Sequence, residues 1–410
     1  MKYTFENSEN IPQFLFIAVV VALFLGLTVA AEEIIKDQKI LKRESFLNLS
    51  KGSYLFSKIS IMFIISAVQT FLFVLIGNFI LEIKGMWLEY WLILFSTSCF
   101  ANLLGLNISS TFNSAKVIYI LIPIMIIPQL LFSGVIVKFD KLHPVFAQEN
   151  SVPWIGNIMA SRWAYEALAV TQYKRNNFEA PFYSVKQLES EAAWKRDYWL
   201  PEMRNLQSLV YKYADDEKKQ EEVKQAKNVL INEINKEERL YDPSDNFVCE
   251  DCVNALKNDR WNEEVNTTLT NYLKVLKKIY NAEVNEALDK KSEILDRIGV
   301  EKYQRLKSEY FNESLSDFAT NRNDLDKIIQ KNGKLIQKSD PIYQIPRGES
   351  FLDAQFYAPG KNLFGNYVST FTGNILMLWF MTALLMITLY FDFFRKVIEG
   401  IESLISRIRG

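Results

Sequence analysis

The chain has 410 residues and a formal net charge of -1 at pH 7. That near-neutral balance, with no basic stripe, argues against a nucleic-acid partner, and a single histidine, His143, excludes a multi-histidine metal site. The average conceals two materials: residues 1 to 137 and 364 to 394 are apolar and aromatic, whereas residues 176 to 350 are dense in Lys, Glu, Asp and Asn.

A bilayer span needs about 20 mostly apolar residues. Five stretches qualify: Ile11 to Ala31, Ile59 to Leu81, Trp87 to Phe112, Val117 to Val137 and Tyr367 to Phe391. The composition therefore predicts an all-α integral membrane protein with five transmembrane helices and a large helical extracytoplasmic insertion. Trp87, Tyr90, Trp91, Tyr119, Tyr367 and Tyr390 sit toward span ends, where amphipathic rings prefer the interface. The first span has no basic segment before it and no small-residue cleavage site, so it does not read as a cleavable signal peptide.

Between the first two spans, residues 30–59 are charged and amphipathic, with Lys36, Lys39, Lys42, Arg43, Lys51 and Lys58. A short Lys/Arg-rich loop beside spans stays in the cytoplasm. Residues 138–366 then lie outside, and the C-terminus lies inside. Arg395, Lys396, Arg407 and Arg409 follow the last span and agree with that orientation. An odd number of spans with an external N-terminus suggests that Met1 is not the natural beginning of the polypeptide, or that a span precedes it.

The fourth span carries Pro123 and Pro128, expected to bend the helix, either as a plain structural kink or as a bend that shapes a translocation path. The domain plan reads 1–137 as the first membrane part and 138–175 as a membrane-proximal external element packed on the bilayer surface. Residues 176–350 read as an external helical insertion, 351–394 as the return and last span, and 395–410 as an amphipathic tail. In the insertion, Val223, Ala226, Leu230 and Ile234 form a single apolar stripe, as do Val265, Leu269, Tyr272, Leu276 and Ile279, and Tyr303, Leu306 and Tyr310. Such stripes must be buried against one another.

No phosphate-binding loop and no catalytic Ser-His-Asp or Cys-His set stands in the sequence. The spans carry almost no charge, unlike ion-driven carriers; if the chain moves a solute, the energy is expected to come from elsewhere. Cys249 and Cys252 lie four residues apart inclusive. By spacing alone they suit a short disulfide, free thiols, a metal half-site or a redox pair; the two further Cys or His ligands of a zinc site are missing.

Lys36-Asp-Gln-Lys-Ile-Leu-Lys-Arg-Glu44, with Asn48-Leu49, Tyr54 and Ser57-Lys58 after it, resembles the first intracellular segment of type 2 ABC exporter membrane domains of the G-subfamily-like bacterial branch. Leu121 to Val137, with Pro123, Pro128, Ser133 and Gly134, is similar to that family's proline-bearing span ending in Phe-Ser-Gly. Ser161 to Leu168 is similar to its Arg-Trp-x-x-Glu-Ala-Leu element, here Arg162, Trp163 and Glu166. The resemblance covers residues 1 to 175 and 350 to 395; nothing similar is offered for the insertion. It implies spans two to six of a six-span half, with the first span and the nucleotide-binding domain missing.

It further implies a permease and not an enzyme, dimeric with a second permease copy in a bacterial inner membrane. ATP and Mg would reside on a partner ABC ATPase, and no cofactor or metal in this chain. Glu33, Asp37, Arg43 and Glu44 would couple to the ATPase, although Gln38, Lys39 and Ser45 depart from the family pattern. The apolar interior favours a hydrophobic or lipid-like cargo, and the external domain would meet an envelope partner. Two other readings stand beside this one: a non-transporting scaffold, and a thiol oxidoreductase using Cys249 and Cys252.

Overall fold

The computed structural model describes residues 4–37, 50–112, 114–143, 151–214, 216–240, 249–345 and 350–409. Two units emerge: Met1–Ala180 with Gln304–Ala319 and Ile345–Gly410, and Pro181–Tyr303 with Thr320–Gln344.

The first unit begins with α1 (Ile11–Ala30), α2 (Lys51–Ile80) and α3 (Trp87–Thr111). Pro12 stands in the first turn of α1, where its missing N–H costs nothing. The Ser50 hydroxyl accepts from Ser53 N and caps α2. The central helix is α3, with Tyr90, Ile93, Leu94, Cys99, Leu103 and Leu106 buried. Small residues let α1 approach it closely. A Cβ on Gly26 would stand 2.6 Å from the Ser98 carbonyl oxygen, and one on Gly105 would stand 2.8 Å from that of Leu27. Between α2 and α3, Ser98 donates to Ser66 at 2.9 Å and Asn102 donates to Ser66 at 2.8 Å. Such polar ties are worth roughly 0.6 kcal/mol each in an apolar medium.

α4 (Ala115–Leu131) is shorter than the span expected over Val117 to Val137. Its 17 residues make about 26 Å of helix, against about 30 Å of hydrocarbon. Both prolines lie inside it. The helix stops because Gly134 takes φ +81° and the Phe139 ring covers it, 2.4 Å from where a Cβ would stand. Ser133 reinforces the stop by donating to the Leu130 carbonyl at 2.8 Å.

α5 (Ala160–Lys174) is buried on every side from Ala160 to Tyr173. α5 is enclosed by α1, α3 and the last span.

The second unit holds α6 (Tyr183–Trp194), α7 (Leu200–Lys212), α8 (Gln220–Glu238), α9 (Glu250–Lys257) and α10 (Glu263–Ile298). Its core joins Trp199, Met203, Val223, Leu230, Leu269, Leu276 and Tyr280, so the stripes of residues 223–234 and 265–279 do bury one another. A π-turn at residues 195–199 brings Lys195 within 2.8 Å of Glu237, which also accepts from Tyr280 at 2.6 Å. Gly299, at φ +82°, ends α10.

Then come α11 (Val300–Tyr310), which crosses from the second unit into the first, and α12 (Glu313–Ala319). Residues 304–319, expected within the insertion, belong to the first unit. Asn312 there donates to the carbonyls of Phe5 and Ser8, each at 2.8 Å.

Two antiparallel hairpins depart from the all-helical expectation: β1 (Ile328–Lys331) with β2 (Lys334–Gln337), and β3 (Gly360–Leu363) with β4 (Asn366–Ser369). Asn332 and Gly333, at φ +48° and +70°, form the two-residue turn of the first. The chain closes with α13 (Thr370–Tyr390) and α14 (Phe393–Arg409).

Four helices of the described chain, α1 with its continuation to Asp37, α2, α3 and α13, are long and apolar enough to cross a membrane. Large apolar side chains on α2 and α13 face outward: Phe79 is 80% exposed and Phe380 56%. Such faces suit lipid rather than water. Loop ends fall into two groups. Lys84 pairs with Glu309 and Lys307 with Glu6 at one end. At the other end Lys51 pairs with Asp392, and Asn107 donates to the Leu385 carbonyl at 2.9 Å.

Candidate functional site

After α1 a turn at Ala31 and Glu32 leads into helical residues 33–37. Glu33 and Asp37 stand one turn apart and so share a face. Lys58, near the start of α2, reaches both, at 3.1 Å and 2.8 Å. Tyr54, one turn earlier on α2, donates to Asp37 at 3.0 Å. The backbone N–H groups of Ile34 and Ile35 both donate to the Ser109 hydroxyl, at 3.0 Å and 3.1 Å. Ser109 therefore caps this turn from α3, meeting donors that a helix start leaves unsatisfied. Tyr119 of α4 bonds Glu32. Beneath them Ile34 packs with Leu55, Ile59, Leu106 and Leu389. The end of α1 is thus clamped by α2, α3 and α4.

Of the four coupling residues expected from sequence, Glu33 and Asp37 meet in this clamp. Arg43 and Glu44 lie outside the described residues. Lys58 and Tyr54 were legible as motif positions. Ser109 and Tyr119 were not, because a lone hydroxyl far along the chain carries no local signal.

A second cluster lies at α5. Arg162 and Glu166 are one turn apart, both 1% exposed or less. Lys361 of β3, also fully enclosed, donates to both Glu166 oxygens at 3.1 Å and 2.9 Å. Asn374 of α13 donates to Glu166 at 2.8 Å and to the Trp163 carbonyl at 2.9 Å. Arg162 lies 3.5 Å from Glu166 and stacks 3.8 Å above the Trp163 ring. Lys361 lies 5.0 Å from the same ring. Two cations thus share one carboxylate, and aromatic faces carry part of the excess charge. Nε and Nη1 of Arg162 have no hydrogen-bond partner among the described residues.

Burial opposes ionisation of Glu166, but Arg162 and Lys361 outweigh it and hold its carboxyl below the ordinary range. Burial pushes Lys361 down to about 8, against the pull of Glu166. The cluster pins α5 to the return hairpin and to the last span. Sequence reasoning found Arg162, Trp163 and Glu166, and Asn374 only as a polar group within the last span, but missed Lys361. The one available signal was a lone lysine in the apolar, aromatic return segment.

The family model described as ABC-2 type transporter matches residues 2–173. Residues 2–173 form an ABC-2 type transporter membrane domain. No curated protein and no solved structure matches the chain. The family implies a multi-pass membrane setting, a transport role and an ABC ATPase as partner.

The ABC-2 domain contains the whole clamp and the Arg162–Glu166 half of the charge cluster. Lys361 and Asn374 join it from beyond the matched range. Ser133 and Gly134 of the ABC-2 domain form the helix stop described above. Pro123 and Pro128 lie within α4. Cys249 and Cys252 are joined by a disulfide in the core of the second unit. Among the described residues no His, Cys, Asp or Glu group is arranged to hold a metal ion.

Proposed function

We propose that this chain is the permease part of an ATP-driven ABC exporter in a bacterial inner membrane, moving a hydrophobic or lipid-like molecule. The observation that carries the reading is the Lys58 bridge to Glu33 and Asp37. It locks the end of α1 to α2 on either side of residues 38–49, the segment that the resemblance assigns to ATPase contact. A displacement of that segment would move both helices together. The path would run along α1 and α4, and a second copy would complete it. The clamp end would face the cytoplasm, because the Lys/Arg-rich segment lies there. Residues 138–366 would be extracytoplasmic, with the second unit set to meet an envelope partner.

The experiment is purification of the tagged chain from its own membranes, identification of copurifying ATPase, and ATP-driven flux of a fluorescent phospholipid in proteoliposomes. K58A and E33Q/D37N are expected to lower flux roughly tenfold while basal hydrolysis persists, the size of a typical coupling energy. Absence of any ATPase, or flux unchanged by these substitutions, turns the reading to a membrane-anchored scaffold.

A further inference from the structure

Helix α14 follows α13 after only Phe391 and Asp392, with Asp392 at φ +51° making the turn. Tyr390 is the last residue of α13 and Phe393 the first of α14. Three residues extend at most about 10 Å, so the first turn of α14 cannot leave the zone where α13 ends. There Phe393, Val397 and Ile401 are 53%, 41% and 50% exposed. Their spacing places them along one helical stripe, which the sequence continues at Leu404 and Ile408. The helix carries four basic residues, Arg395, Lys396, Arg407 and Arg409, against two acidic ones, Glu399 and Glu402. Asp392 pairs with Lys51, the first residue of α2.

We propose that α14 is an interfacial helix that docks on an anionic phospholipid surface, with Phe393, Val397 and Ile401 in the acyl boundary and Arg395 and Lys396 at the headgroups. A protein groove could cover the same stripe, but connectivity keeps this one at the membrane boundary and its charge is basic, which together select anionic lipid. The Lys51–Asp392 pair then ties a lipid-held helix to the start of α2, beside the clamp. The docking stands whether or not the chain transports anything.

The test uses the full chain in nanodiscs with I401C carrying an environment-sensitive fluorophore. Cys99 is buried and Cys249 and Cys252 are joined, so the label is directed to the new cysteine. Discs contain phosphatidylcholine alone or mixed with phosphatidylglycerol, each with brominated acyl chains as quencher. Quenching is expected in the anionic discs. R395Q/K396Q is expected to lower the docked-to-undocked ratio roughly 30-fold, about fivefold for each basic residue near the surface. V397Q, which keeps the charges, is expected to weaken quenching through the apolar stripe.

A label exposed to water in both disc types overturns the proposal. So does quenching that is equal in neutral and anionic discs and indifferent to R395Q/K396Q. A label shielded from water but not quenched by lipid bromines also overturns it and assigns the face to a protein partner or a second copy.

Discussion

Lys361 holds both oxygens of Glu166 across 195 residues of sequence, with neither side chain exposed to solvent. An enclosed charge that loses its partner is far costlier than the pair itself is stabilising. E166Q keeps the shape but leaves Lys361 and Arg162 without a counter-charge. It should lower stability by about 3–5 kcal/mol, measured by thermal or denaturant unfolding in detergent. A loss below about 1 kcal/mol would mean that water reaches the cluster.

The same pair sets a pH dependence. The Lys361 amine is pushed from the ordinary 10.5 down to about 8 by burial, so the folded protein binds this proton less tightly than the unfolded chain. The cost of charged Lys361 is full below about 8 and is relieved as pH rises from there toward 10.5. Melting temperatures of the wild type compared with K361M, which has no proton to lose, should diverge over that window in favour of the wild type. Parallel curves would show that Lys361 titrates normally.

Two helix seams offer a contrast between glycines, Gly105 where α3 meets α1 and Gly77 where α2 meets α1. A Cβ at Gly105 would meet the Leu27 carbonyl and the Ala31 nitrogen, both backbone, whereas one at Gly77 would meet the tip of the Phe14 ring. Backbone cannot turn aside, but a ring can. G105A should cost about 1–3 kcal/mol and G77A distinctly less. Equal melting points for the two variants would show that the helices separate freely.

Ser109 accepts from two N–H groups at the end of α1. S109A should cost about 1–2 kcal/mol, as loss of a helix cap does, and faster amide exchange should appear at Ile34 and Ile35. Unchanged exchange there would remove Ser109 from the clamp.

The disulfide closes so short a loop that it constrains the unfolded chain little, by about 2 kcal/mol in the chain-entropy account. C249A/C252A should therefore leave ATP-dependent function intact while lowering the stability of the second unit modestly. Loss of function at unchanged stability would instead revive the thiol-oxidoreductase reading.

Much of the architecture is legible in composition because lipid imposes a simple rule: long uncharged runs become helices. The apolar helices α1, α2, α3 and α13, read in the sequence from Ile11, Ile59, Trp87 and Tyr367, follow from it, as do the stripes that pack the second unit. The Asn332–Gly333 hairpin carried a readable turn signal, overlooked among helical segments. Glu33, Asp37, Arg162 and Glu166 were marked by the resemblance to the exporter family, not by composition or periodicity. Only the tertiary structure could show that α4 ends at Leu131, since that depends on Phe139 folding back over Gly134. Only it could enclose α5 and deliver Lys361 and Asn374 to Glu166. Helical periodicity reports which face of one segment is apolar, not which distant residue will meet a buried charge. That choice is made when the segments pack, because an enclosed carboxylate must find its cation wherever the chain has carried it.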